Sequence, residues 1–201
     1  MTKLLVATWN KGKLIEYQQL LKGLPFDFVN LQQENIHNEV AEKFATYEEN
    51  ALHKARYYAD KSGLLTLADD SGLEIDALNG EPGVKSARYA GKKATDRQRI
   101  DLVLARMAGI AWEKRVACFK CVIAICFLQG KSGIFYGECR GYITFKPKGE
   151  YGFGYDPIFY IPGEDKTMAE LTPDKKNHIS HRARAAQAAY NMLKELVDRT
   201  T

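Results

Sequence analysis

The residues of greatest chemical interest in this sequence lie toward its carboxyl end, where Phe153-Gly154-Tyr155-Asp156-Pro157-Ile158-Phe159 is followed, about one helix-length later, by Ile179-Ser180-His181-Arg182. Aromatic, glycine-spaced and cationic groups gathered in this way suit a nucleotide. After Ser180, a good N-cap, the apolar residues Ala186, Ala189, Tyr190, Leu193, Leu196 and Val197 recur with the helical period, so His181 and Arg182 fall on a first helical turn. Backbone N–H groups, the positive end of the macrodipole and a guanidinium coincide there, and the dipole alone favours an electron-rich ligand group by roughly 0.3–1 kcal/mol. A solvated helix start is the plainer reading of the same residues.

Near the amino end, Thr8-x-Asn10-x-x-Lys13 stands where a strand hands the chain to a helix. A hydroxyl, a carboxamide and an ammonium around exposed backbone donors can cradle a phosphate, or can simply close a loop and cap the helix. The spacing of a P-loop is absent. Asp69-Asp70-Ser71-Gly72 offers two carboxylates that can coordinate Mg²⁺ through oxygen or take a proton from water; a structural Asx turn is the competing reading. Glu39 and Glu42, ahead of the second helix, can complete a metal site only through long-range folding. Glu49, Asn50 and Lys54 share part of one helical face, which by default is solvated.

Other chemistries find little support. The four histidines, at 37, 53, 178 and 181, show no compact zinc-ligand pattern, and no serine sits in a G-x-S-x-G elbow. Cys118 and Cys121 form a C-x-x-C pair within a strand pattern, so their side chains point to opposite faces and read as buried free thiols. The apolar run at the amino terminus is too short for a signal peptide, and that from Cys121 to Leu128 is too short to span a bilayer; the expectation is a soluble, cytoplasmic protein. The 29 basic residues are nearly balanced by 25 acidic ones, giving a net charge of +4 without a basic tail. A mildly electropositive cleft for a phosphorylated small molecule fits this balance, and a nucleic-acid surface is the other use it allows.

The elements that must position these groups follow from periodicity and caps. Leu4 to Ala7 reads as a buried strand, and Leu14, Tyr17, Leu20, Leu21 and Leu24 mark a helix. Thr46-Tyr47-Glu48-Glu49 is a capping-box signature for a second helix that runs to about Asp60 and stops at Gly63. Leu64 to Ala68 predicts a strand ending at the Asp69-Asp70 pair, with a second strand over 73–78. Thr95 and Gln98 form a capping box for a helix through about Met107, with Gly109 at its stop. Residues 115–128 and 133–145 predict antiparallel strands joined by a hairpin turn at 129–133. The whole predicts one α/β domain over residues 1–201: an elongated mixed central sheet flanked by helices, with a smaller lobe forming a nucleotide cleft.

Thr8-x-Asn10-x-x-Lys13, Glu49-Asn50-Ala51 with Lys54-Ala55, Ala68-Asp69-Asp70-Ser71-Gly72-Leu73, Ser86-Ala87-Arg88-Tyr89, Phe153-Gly154-Tyr155-Asp156-Pro157 and Ser180-His181-Arg182 together resemble, in order and over nearly the whole chain, the inosine/xanthosine triphosphate pyrophosphatase family. The resemblance implies Mg²⁺-dependent hydrolysis of non-standard purine nucleoside triphosphates (ITP, dITP and XTP) to the monophosphate and pyrophosphate, in the service of nucleotide-pool cleansing. It implies a homodimer, with neither membrane nor nucleic acid as partner. By the same resemblance Thr8, Trp9, Asn10, Lys11, Gly12 and Lys13 hold the triphosphate, Lys54 and Ser71 touch substrate, Asp70 serves as metal ligand or general base, and Glu42 is a second metal candidate. Phe153, Gly154, Tyr155, Asp156, Lys176, His181 and Arg182 match the nucleoside-recognition positions, where an aromatic ring stacks on the base and the 6-keto oxygen lies near His181 and Arg182. The chain departs from the family's pattern at Trp9, commonly a small residue, and at Ala41, often a second acid beside Glu42. Those departures leave a catalytically silent nucleotide-binding module as the alternative.

Overall fold

The short apolar runs of the sequence become strands of a mixed sheet. In the computed structural model, which describes residues 2–127 and 130–198, these are β1 (Thr2–Val6), β2 (Phe26–Asn30), β3 (Leu65–Ile75), β4 (Val116–Cys126), β5 (Ser132–Ile143), β6 (Phe159–Ile161) and β7 (Lys166–Thr167). They hydrogen-bond in the order β2-β1-β3-β4-β5-β6-β7. β1 is parallel to both neighbours, Leu4 pairing with Phe28 on one side and Leu65 on the other, whereas β6 is antiparallel to β5 and β7. The expected α/β class with a mixed, helix-flanked sheet is the one that forms. Leu128 of the anticipated strand 115–128, Gln129 of the hairpin turn and the Val197 side chain lie outside the described residues.

Among the described residues the α-helices are α1 (Lys11–Leu20), α2 (Tyr47–Ser62), α3 (Asp96–Arg106), α4 (Pro173–Ile179) and α5 (His181–Asp198). Their ends are set by the residues that mark them in the sequence. Thr46 Oγ1 accepts the Glu49 N–H at 3.2 Å, and Gly63 closes α2 with a left-handed φ of 67°. Thr95 and Gln98 make the reciprocal capping box on α3. Ser180 is extended immediately before α5. Sequence periodicity did not anticipate β2, β6, β7 or α4, all ten residues or shorter.

The chain divides into two compact units, one made of Met1–Asp70, Cys121–Gly137 and Arg182–Thr201, the other of Ser71–Lys120 and Glu138–His181. The first has a core of Leu4, Val6, Tyr17, Leu21, Leu67, Ile123, Ala186 and Leu193, in which the alanine-rich face of α5 lies close to the strands. The second is built on Leu73, Ile100, Val103, Phe119, Ile143, Ile158 and Phe159. Within it Arg115 is 2% exposed and takes backbone oxygens for its partners, donating to Ile143 O at 2.6 Å, Met107 O at 2.9 Å, Ile110 O at 3.3 Å and Thr144 O at 2.9 Å. A buried cation satisfied in this way ties the end of α3 to the end of β5.

One expected boundary is wrong. The Asp69-Asp70 pair does not end a strand or make an Asx turn: β3 runs unbroken from Leu65 to Ile75, and a single 3-10 turn at Asp76–Leu78 replaces the end of the anticipated second strand. Aspartate and glycine are poor strand formers. Here the pairing of β3 with neighbours on both sides and the cations waiting for both carboxylates override that preference.

Candidate active site

In the first unit the loop between β1 and α1 is organised by its own side chains. Asn10 caps α1, its Oδ1 accepting the Lys13 N–H at 3.1 Å, while Thr8 Oγ1 accepts the Asn10 N–H at 3.2 Å. The hydroxyl and carboxamide read as phosphate contacts thus hold the loop's backbone. Lys11 and Gly12 open α1, where backbone N–H groups lack partners within the helix, and the Lys13 ammonium lies 2.8 Å from Asp69. Trp9 is 42% exposed, and its indole N–H donates to the Tyr58 hydroxyl at 3.3 Å.

Beside this loop β3 presents its two aspartates, both about 97% buried, to different surroundings. Successive strand side chains point to opposite faces. Asp69 meets residues of α1 and α5: Lys13 Nζ at 2.8 Å and Arg182 Nη2 at 3.6 Å, with the Cys121 thiol at 3.8 Å. Burial would raise its pKa, but Lys13, Arg182 and Lys54 outweigh burial and hold the Asp69 carboxyl well below the ordinary carboxylate range. Asp70 meets α2, accepting from Asn50 Nδ2 at 3.0 Å. Burial, helped by the charges of Glu42 and Asp69 and opposed by Lys54 and Lys13, pushes Asp70 up to about 6.

Lys54 is not on a solvated face. Its ammonium bonds Glu42 Oε1 at 2.6 Å, and although burial opposes its charge, Glu42, Asp70 and Asp69 together raise its pKa. The structure therefore gathers Lys13, Glu42, Lys54, Asp69 and Asp70, which the sequence spreads over 58 positions, into one charged cluster. Arg182 joins it from the start of α5, its Nη1 donating to Glu16 Oε2 at 2.5 Å. The acceptors expected at that helix start thus include two carboxylates of the protein itself. The Cys121 thiol, buried against Tyr17 and Asp69, is pushed up to about 12 by burial and neighbouring charge, as an inert thiol should be.

The second unit carries the other predicted residues. Gly152 and Gly154, with φ of 77° and 63°, turn the chain so that Asp156 Oδ2 accepts the Phe153 N–H at 3.0 Å. The same oxygen takes the Lys176 ammonium at 2.6 Å, and that ammonium lies 4.6 Å from the centre of the Phe153 ring. A side chain at Gly152 would begin 2.1 Å from that Asp156 oxygen, so the turn requires glycine twice over. Asp156 and Lys176, both nearly buried, support the turn and position the Phe153 ring. Gly154 N–H donates to Asp96 Oδ2 at 2.7 Å, and Tyr155 is buried with its hydroxyl on Ser86 O at 2.9 Å. His181 stacks on Phe119 at 4.6 Å with 13° between the rings. Ser71 follows Asp70 in β3 and is half-buried.

Several contributors escaped the sequence reading. Glu16 is a buried acid on α1 that no local signal in the sequence marks. Tyr58 continues the four-residue spacing of Asn50 and Lys54. Asp96 reads in the sequence as a helix-start acid and also holds the Gly154 turn.

The first unit thus joins a strand-loop-helix turn to a cluster of lysines and carboxylates, on an α/β sheet that is parallel around β1 and antiparallel around β6. The chain belongs to the Ham1 family, whose model matches residues 4–192. Among curated relatives it is 49% identical to the dITP/XTP pyrophosphatase of Geobacter sulfurreducens, over 92% of this chain and 93% of that one, and 44% identical to the dITP/XTP pyrophosphatase of Bacillus subtilis, over 96% and 98%. Among solved structures it superposes on a HAM1 protein from Coxiella burnetii with a TM-score of 0.88 at 44% identity, covering 97% of this chain and all of that one.

Proposed function

We propose that this chain hydrolyses non-standard purine nucleoside triphosphates of the dITP and XTP type to the nucleoside monophosphate and pyrophosphate, removing them from the nucleotide pool. The observation that carries the reading is the divergence of two adjacent carboxylates, Asp69 held ionised by Lys13 and Arg182, Asp70 raised to about 6 beside Lys54. Neighbouring titratable groups pushed apart in this way can divide structural and acid–base work between them. The near-full-length relatives named for this activity support the same reading.

Each residue then has a task. Lys11 and Gly12 N–H groups and the Lys13 ammonium take phosphate oxygens, and Lys54 supplies further positive charge. The Asp70 carboxylate orients a water and takes its proton as the water oxygen bonds to the α-phosphorus; the bond from that phosphorus to the bridging oxygen breaks and pyrophosphate leaves. No covalent enzyme intermediate is needed. Asp69 keeps Lys13 and Arg182 in place.

Asp70 and Glu42 are the residues that would hold Mg²⁺. Among the described residues no three or more His, Cys, Asp or Glu side chains are grouped to cage a metal by themselves. Two carboxylates nonetheless fit an ion that draws its other ligands from water and substrate phosphates. When bound, the ion supplies charge neutralisation on the phosphates and the leaving group.

Nucleoside recognition is assigned to Phe153, stacking on the base, and to donors at His181 and Arg182 that meet a 6-keto oxygen. Adenine, with an amino group there, would leave donors facing a donor, and a site built on such bonds rejects the wrong partner by up to about 10⁴-fold. No helix among the described residues is long and apolar enough to cross a membrane; the cytoplasmic homodimer is part of the proposal. The test is pyrophosphate release from dITP, XTP, GTP and ATP in parallel, with Mg²⁺ and with chelator. Mg²⁺-dependent release from dITP and XTP, with ATP spared, is expected. No release from either substrate defeats the proposal, and equal release from ATP defeats the selectivity.

A further inference from the structure

The segment 38–44, which carries Glu42, has no helix or strand of its own. It is laid along one face of α2 by three side chains spaced four residues apart. Asn50 holds Phe44, accepting its N–H at 3.1 Å and donating to its carbonyl at 3.3 Å; Lys54 holds Glu42; Tyr58 holds Asn38 and Val40, donating to Asn38 O at 3.0 Å and accepting Val40 N–H at 3.2 Å. Each of the three also reaches the catalytic groups. Asn50 bonds Asp70, Lys54 acts on the charges of Asp70 and Asp69, and Tyr58 receives the indole N–H of Trp9 from the phosphate loop. Tyr58 is 2% exposed and its hydroxyl is a three-way junction, so the loop's only tryptophan is wired to the strand of chain that positions Glu42.

We propose that Trp9 is a positioning residue for the proposed hydrolysis: through Tyr58 it fixes the 38–42 segment, and so Glu42, relative to the Thr8–Lys13 loop. A glycine at this position has no side chain with which to make this link, and the partly exposed indole is held in place by a polar bond to a buried hydroxyl. The inference rests on the activity proposed above.

The test uses Trp9→Phe, which keeps an aromatic ring and removes the N–H, Tyr58→Phe, which removes the junction oxygen, and the double variant. Turnover number and KM for XTP are measured across a magnesium titration. Each single variant should lose about tenfold in kcat at limiting magnesium, with KM for XTP within about threefold of the parent, and the double variant should be no worse than either single one. Independently of turnover, amide exchange at Val40 should quicken in Tyr58→Phe and in Trp9→Phe while the thermal midpoint of Trp9→Phe stays near that of the parent. Parental kcat in Trp9→Phe at all magnesium concentrations overturns the positioning role, as do independent, additive losses in the double variant. If the parent itself releases no pyrophosphate, the activity falls, and the exchange measurement decides the link: unchanged Val40 exchange in Trp9→Phe overturns it.

Discussion

Asp69 and Asp70 are chemically identical neighbours that the fold treats in opposite ways, and their substitution by asparagine should reveal it. For Asp70 the folded pKa, about 6, lies above the ordinary 3.8. The folded state therefore holds its proton more tightly, and metal-free stability should decline as pH rises from about 4 to 6 and then level off. Asp70→Asn removes that liability. It should abolish turnover yet raise the unfolding free energy at pH 7–8 by roughly 2–3 kcal/mol, the gain disappearing below about pH 4, as read from urea melts across that range. For Asp69 the folded pKa is depressed, so its contribution is complete above the ordinary value and is lost only on stronger acidification. Asp69→Asn strips a buried pair from Lys13 and Arg182 and should cost about 3–5 kcal/mol at neutral pH, with the deficit shrinking below pH 4. Two variants of equal sign would contradict this division. The residues themselves marked the pair only as a candidate site, and the family resemblance singled out Asp70; the contrast between the two surroundings was not legible, because it depends on cations contributed from positions 13, 54 and 182.

At the scale of elements, the Phe153–Asp156 turn offers a comparison between two glycines of similar backbone conformation. Gly152→Ala drives a methyl group into the Asp156 carboxylate, which holds both Phe153 N–H and Lys176; Gly154→Ala meets no heavy atom within 4 Å and carries only the left-handed backbone cost, about 1–2 kcal/mol. The first should raise KM for XTP by about tenfold or more, the second by a few-fold at most, in steady-state assays. Equal effects would mean that the carboxylate does not organise the turn. Capped elements were the most legible: Thr46, Gly63, Thr95 and Gln98 are local signals, acting within a turn of where they stand. β3 was misread because its strand character comes from partners in β1 and β4, which no window of sequence around Asp69 contains. β6, β7 and α4 are too short to show a period.

For the molecule as a whole, β3, β4 and β5 each contribute residues to both compact units, so neither core can surrender these strands without withdrawing them from the other. Unfolding should accordingly be a single transition. Arg115→Met, in one unit, removes the guanidinium donors from four carbonyl oxygens, three of them in buried bonds, and should cost about 3 kcal/mol, moving one common midpoint by roughly 6–12 °C. Calorimetry showing two separate transitions, with Arg115→Met shifting one of them, would refute the coupling. The overall class was legible from alternating strands and helices, and a smaller lobe was expected, but which residues belong to which core was not legible, since it follows from which halves of long strands share neighbours.

The ladder on α2 has a consequence for length. Asn50, Lys54 and Tyr58 stay on one side of the helix because four residues make slightly more than a full turn, and one added or removed residue rotates everything beyond it by about 100°. A single-residue insertion between Asn50 and Tyr58 would leave composition, charge and helical tendency nearly untouched while swinging part of the ladder away from the 38–44 segment. Between those positions the helix can vary in its exposed residues, but its register admits neither insertion nor deletion.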